Sequence, residues 1–211
     1  MKLTRHLLIP AADLLAGLKQ TRLMGFEQPC VYETARLSLE PAVDTDRLVP
    51  PQRYVLRPDV NTILAVHEAL AARGVDIFAL DGAVLFWVER DGEEEGPIPL
   101  TPPIVEMSRE DDGREVMLIN DGMHRVFAAR SLGRPISIVL ARDVPPQYPY
   151  YAKAVPGGWS GVSELDELPD GFIKKEYRNP DNYRALFRDF NAVFEGIQKR
   201  RKRSNPSHIR E

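Results

Sequence analysis

A single cysteine, Cys30, in 211 residues leaves nothing for an intramolecular disulfide to pair with. Such a chain suits a reducing compartment, and the cytoplasm is the expected location. Nor does any stretch reach the roughly 20 consecutive apolar residues that span a bilayer, so no membrane association is expected. The apolar run within Met1–Pro10 is too short and too interrupted for a signal peptide. No His-x3-His or Cys-x2-Cys spacing occurs, so the sequence offers no zinc site and no certain metal ligand. Charge of one sign is also missing: 28 Lys+Arg against 31 Asp+Glu give −3, which removes the global electrostatic case for nucleic acid as a partner. No internal repeat is visible. What remains is an ordinary globular composition, 43% hydrophobic and 28% charged, in a chain long enough to bury a real core.

Periodicity then divides the chain. Ala11–Lys19 is expected to be a short helix with Leu14, Leu15 and Leu18 on one side. Val31–Leu39 alternates as a strand does, and Arg53–Arg57 is a candidate returning strand after the turn-rich Pro41–Pro51. Asp59 can cap a helix over Thr62–Arg73, which Gly74 would stop. Asp81-Gly82 is a hairpin signal between Asp76–Leu80 and Ala83–Glu89. The acidic, Gly/Pro-punctuated stretch Asp91–Pro99 reads as a loop. Strands are expected at Pro103–Met107, Glu115–Ile119 and Pro135–Leu140, with Asp111-Asp112-Gly113 turning the first into the second. Val144–Glu176, rich in Pro, Tyr and Gly, reads as a long binding loop or lid. Asn179-Pro180 opens a helix whose stripe is Tyr183, Leu186, Phe187, Phe190, Phe194 and Ile197, running to the basic Lys199–Arg203. An exposed stripe of that kind would make a homodimer surface.

Within this frame Ile119–Gly133 carries the strongest signal. An apolar strand ends on Asn120-Asp121-Gly122 and enters a short helix through Met123-His124-Arg125. Gly122 permits a sharp turn or a close backbone approach. His124 and Arg125 fall in the first helical turn, where orphan N–H groups and the helix dipole favour an anion. The alternative is a purely structural turn, with Asp121 as N-cap and Arg125 paired to a nearby carboxylate.

These residues resemble the ParB/sulfiredoxin-like superfamily. Asp121, Gly122 and Arg125 match its kinase-like pattern, and Gly122, His124 and Arg125 its sulfiredoxin pattern. The small-residue helix Val126–Leu132, the strand after Gly133 and the upstream Pro102-Pro103-Ile104-Val105-Glu106 fit as well, over about residues 96–143. Met123 stands where a sulfiredoxin needs its nucleophilic cysteine, and a thioether forms no thiolate, which excludes that activity. The second arginine-rich box and helix-turn-helix of ParB proteins are not found either.

The expected architecture is therefore α+β. It comprises an N-terminal α/β extension (1–95), a ParB/sulfiredoxin-like core sheet (96–143), a Pro/Tyr/Gly-rich loop (144–178), a long C-terminal helix (179–203) and a tail (204–211). The resemblance implies nucleotide phosphates, with Mg²⁺, held at Asp121, Gly122, Met123, His124 and Arg125. It extends to phosphotransfer onto a small hydroxyl-bearing substrate, with Glu106 or Asp121 as base or Mg²⁺ ligand. Tyr148, Tyr150, Tyr151 and Trp159 are candidates for stacking on a base or closing over the substrate. Two other readings stay open at this stage: a non-catalytic nucleotide switch or adaptor, and a DNA-associated protein using Lys199–Arg203.

Overall fold

The computed structural model describes residues 2–194 and 197. Strand β1 (Lys2–Pro10) runs into helix α1 (Ala11–Leu18), followed by β2 (Arg22–Leu23), β3 (Arg36–Val43), β4 (Leu48–Val49) and β5 (Tyr54–Leu56). Helix α2 (Arg57–Ala71) leads to β6 (Gly82–Arg90), β7 (Glu93–Leu100), β8 (Ile104–Arg109) and β9 (Glu115–Asp121). Helix α3 (Met123–Ser131), β10 (Ile136–Arg142), β11 (Ser163–Leu165) and β12 (Arg188–Asp189) complete the order.

The central sheet has five strands in the order β3-β10-β8-β9-β4, with β10 parallel to β8 and β8 antiparallel to β9. Strand β10 reads Ile-Ser-Ile-Val-Leu-Ala and is buried throughout those six residues, because both its faces are covered. Alternation sorts its side chains. Ile136, Ile138 and Leu140 join Val105 and Ile119 under α2 and α3, whereas Val139 joins Ile104 under Leu14 and Leu18 of α1. A second, antiparallel sheet, β1-β6-β7, adds Val84, Phe86 and Val88 to the larger core. Mixed α+β architecture is thus the observed class. Among the described residues no helix is long and apolar enough to cross a membrane.

The expected α1 is found within one residue, and β8, β9 and β10 within two residues at either end. Helix α2 starts at Arg57, so Asp59 lies within its first turn and does not cap it, and the strand expected from Val31 begins at Arg36. Three further expectations need correction. The acidic Asp91–Pro99 is not a loop: Asp91-Gly92 is the turn between β6 and β7, and Glu93 onward is an edge strand. Edge position is what tolerates Pro97 and Pro99, while Glu94 is held by Thr4 and Arg5. Asp81-Gly82 makes no hairpin. Gly82 opens β6 against the end of β1, where a Cβ would meet the Ile9 carbonyl oxygen at 2.1 Å.

The third correction concerns the long helix. Over 179–194 the chain makes short 3-10 turns (Tyr183–Leu186 and Phe190–Val193) around β12 instead. Its apolar residues pack inward separately: Phe190 stacks on Tyr32, Phe187 lies against Tyr151, and Phe194 packs with α1. Lys199–Arg203 and the tail lie outside the described residues.

Candidate functional site at the β9–α3 turn

Strand β9 delivers Asp121 opposite Ile104, so the turn into α3 lies at the end of the sheet where β8 and β10 begin. Gly122 has φ 88°, a left-handed conformation. A Cβ there would also meet Pro103 Cα at 3.0 Å and Arg125 Nη2 at 2.7 Å. The glycine therefore serves both the turn and the close approach of the β7–β8 connection.

Arg125 does not face solvent. Its side chain is 7% exposed, with Nη2 donating to Asp121 Oδ2 at 2.9 Å and Nη1 donating to the Thr101 carbonyl. Burial pulls its pKa down, and Asp121 opposes that shift. Arg125 thus fastens α3 to β9 and to the β7–β8 connection, as a structural pair would. Asp121 gives Oδ2 to Arg125, and Gly122, at the N-cap of α3, has no side chain with which to cap the first amides.

His124 bridges two helix starts. Its Nε2 accepts the Leu56 N–H at 3.2 Å, immediately before α2, and lies 3.8 Å from Asp59 Oδ2 in the first turn of that helix. Burial lowers its pKa; Arg125 adds to the shift and Asp59 opposes it. A ring that accepts at Nε2 carries its proton on Nδ1, so the imidazole here is a neutral donor. Met123 is buried in the main core and offers no chemistry.

Glu106 does not join this turn. It shares the β8 face of Ile104, opposite α3. There it is 3% exposed and gripped by Arg188, whose Nε and Nη2 donate to Oε1 at 3.0 Å and Oε2 at 3.1 Å. Tyr32 donates a third bond to Oε1 at 2.7 Å, and Asn120 Nδ2 donates to that hydroxyl. The remaining Arg188 donors go to the carbonyls of Tyr148, Pro149 and Leu186. All five guanidinium N–H groups are satisfied. Both ends of this pair are interior, so a base or Mg²⁺ ligand at Glu106 would first have to give up Arg188.

The aromatic residues of the long connection divide similarly. Tyr150 is buried and donates to the Asn120 carbonyl, Tyr148 supplies its carbonyl to Arg188, and Trp159 donates Nε1 to the Thr45 carbonyl beside Phe127. Tyr148 and Trp159 are themselves half-buried, as is Tyr151, which packs with Tyr177, Phe187 and the Lys175 ammonium. The connection is tied down along its length: Lys153 N–H to the Glu176 carbonyl, Arg178 N–H to the Tyr151 carbonyl, Val155 N–H to the Pro50 carbonyl.

Sequence reading missed Asp59 and Leu56 as neighbours of the turn. Only Asp59 carried a signal, as a helix-start acid. The turn thus leaves Asp121, Gly122 and His124 half-buried with Asp59 beside them, turns Met123 and Arg125 inward, and leaves Glu106, Tyr148, Tyr150 and Trp159 elsewhere.

The family model of the ParB CE domain matches residues 13–163, from within α1 to the first residue of β11. The chain belongs to the ParB CE domain family. No curated protein and no solved structure matches it. The matched span holds the entire five-stranded sheet, α2, α3 and the β9–α3 turn of this ParB-like domain, while Arg188 lies beyond it.

Proposed function

We propose that this ParB-like chain binds a nucleotide by its phosphates at the β9–α3 turn. The observation that carries the reading is the start of α3: a nine-residue helix whose N-cap is a left-handed glycine, which supplies no side-chain cap. The amides at such a start, with the positive end of the helix dipole, favour an oxyanion. His124, in the first turn of the same helix, accepts at Nε2 and so carries its proton on Nδ1. Arg125 acts as a positioning residue, holding Asp121 and the turn rather than the phosphate.

Asp121, 31% exposed, is the carboxylate at the turn that could take a proton from a substrate hydroxyl as its oxygen attacks the terminal phosphorus and the nucleoside diphosphate leaves. Mg²⁺ commonly binds through one or two carboxylates and the phosphates themselves, a donor set that Asp121 fits. Glu106 has no part in this reaction. The single cysteine favours the cytoplasm as the compartment.

The test is thermal stability with ATP, ADP, CTP and pyrophosphate, with and without Mg²⁺, for wild type and His124→Ala. A ligand at about 100 times its dissociation constant adds roughly 2.7 kcal/mol. A rise in melting temperature that His124→Ala reduces supports the reading; no rise with any of the four overturns it.

A further inference from the structure

Among the described residues three long strands lie at sheet edges: β1, β3 and β7. An edge is ordinarily blunted by charge, proline or a bulge, because its unpaired N–H and C=O groups are a template for another strand. Strand β3 is interrupted by Pro41 and by Ala42 at φ 51°, and β7 carries Glu93, Glu94, Glu95, Pro97 and Pro99. Strand β1 is guarded at its start alone. There the register slips between Leu3 and Arg5, and the Arg73 guanidinium donates to the Leu3 and Thr4 carbonyls. From His6 to Ile9 the pairing with β6 is regular, and among the described residues no group beyond β6 bonds to that backbone.

The side chains show what such an edge takes. Leu8 stands across from Val84, which is fully buried in the main core, and Leu7 stands across from buried Leu85. Residues opposed in this way share a face. Yet Leu7 is 53% exposed and Leu8 57%. The apolar rows on both faces of the sheet therefore run out into solvent at β1, where one more strand would continue them. The strand is also its own complement. Antiparallel pairing across a two-fold axis at Leu8 sets the two Leu8 side chains opposite each other and each Leu7 opposite an Ile9. Lys2 and Arg5 then fall outside the apolar stretch, and each is already paired within its own chain, to Glu89 and Glu94. We infer that two copies of this chain associate edge to edge through β1, joining two three-stranded sheets into one of six. Because β7 is guarded, addition stops there and the assembly closes as a dimer.

A strand-pair contact lies at the small end of specific interfaces, so a dimer with a dissociation constant of about 10 μM is expected in sedimentation velocity of the full chain over about 1–300 μM. Leu8→Lys should be monomeric throughout, since it sets like charges across the axis, and Leu8→Glu likewise. An equimolar mixture of the two variants should dimerise again. Leu132→Lys, at an exposed leucine just after α3, should leave the dimer intact. Melting curves establish that each variant is folded. Amide resonances of His6 to Ile9 that move with wild-type concentration give the same answer without a variant. A wild-type monomer at every concentration overturns the inference and leaves the edge to an extended segment of a different protein. A dimer that survives both Leu8 variants, variants that stay monomeric when mixed, or growth beyond two copies overturns it as well.

Discussion

Replacing Arg188 with methionine should cost this protein a large share of its stability. The substitution keeps an unbranched apolar side chain and removes a guanidinium that is 1% exposed. Glu106, itself 3% exposed, would retain only the Tyr32 hydroxyl among its three donors. The Tyr148, Pro149 and Leu186 carbonyls would lose a charged donor at the same moment. Removing one partner of a buried pair typically costs about 3–5 kcal/mol, chiefly because the other charge stays buried alone. Near-total burial and five lost hydrogen bonds place Arg188→Met at roughly the middle of that range, about 4 kcal/mol. At about 2–4 °C per kcal/mol for a chain of this size, the melting temperature should fall by roughly 8–16 °C. Urea unfolding followed by far-UV circular dichroism gives the free energy directly. The double variant Glu106→Leu with Arg188→Met should lose less than Arg188→Met alone, since no charge is then stranded. A loss below about 1 kcal/mol for Arg188→Met, or simple additivity in the double variant, would refute the view that this pair pins the C-terminal segment to the sheet.

Three further outcomes follow from the same geometry. Gly122→Ala should destabilise by about 2–3 kcal/mol, from the left-handed backbone and the close approach of Pro103, as read by thermal melting. The His124 pKa is depressed in the fold, so the unfolded chain binds the proton more readily. The stability this contributes is present above the unfolded value near 6.5 and declines as pH falls towards the folded value. His124→Gln should flatten that acidic decline in melts recorded between about pH 7 and 5. The Tyr32 pKa is raised well above 10.0, by burial first and by Glu106 next, so its contribution is complete below the unfolded value and is lost as pH rises through the folded one. Tyr32→Phe should lessen the alkaline loss of stability, and an unchanged profile would contradict the assignment.

Much of the core was legible from local pattern. The apolar run of β10, the leucines of α1 and the Gly122–Gly133 frame of α3 state their structure within a dozen residues each, because burial there follows from neighbours in sequence. The C-terminal helix failed for the opposite reason. Its apolar spacing satisfies a helical stripe, but Arg188 is committed to Glu106 82 positions away, and Tyr183 stacks on Tyr177 while Phe187 meets Tyr151. Those distant partners outweigh a weak local preference. Glu106 misled similarly: a charged strand residue is ordinarily solvated, and only the fold brings Arg188 and Tyr32 to it. At the turn, the residue types were readable, while the inward direction of Arg125 depended on Thr101 and on the neighbouring strand. Asp59 and Leu56 reach His124 only because β5 and α2 pack against α3.

The phosphate reading is tested most directly at the amides themselves. In a two-dimensional ¹⁵N–¹H spectrum titrated with pyrophosphate and with ATP–Mg²⁺, the largest shifts should fall on Gly122, Met123 and His124, with Leu56 following through its bond to the His124 ring. Saturable shifts confined to other regions, with these four amides unmoved, would contradict a phosphate site at the start of α3.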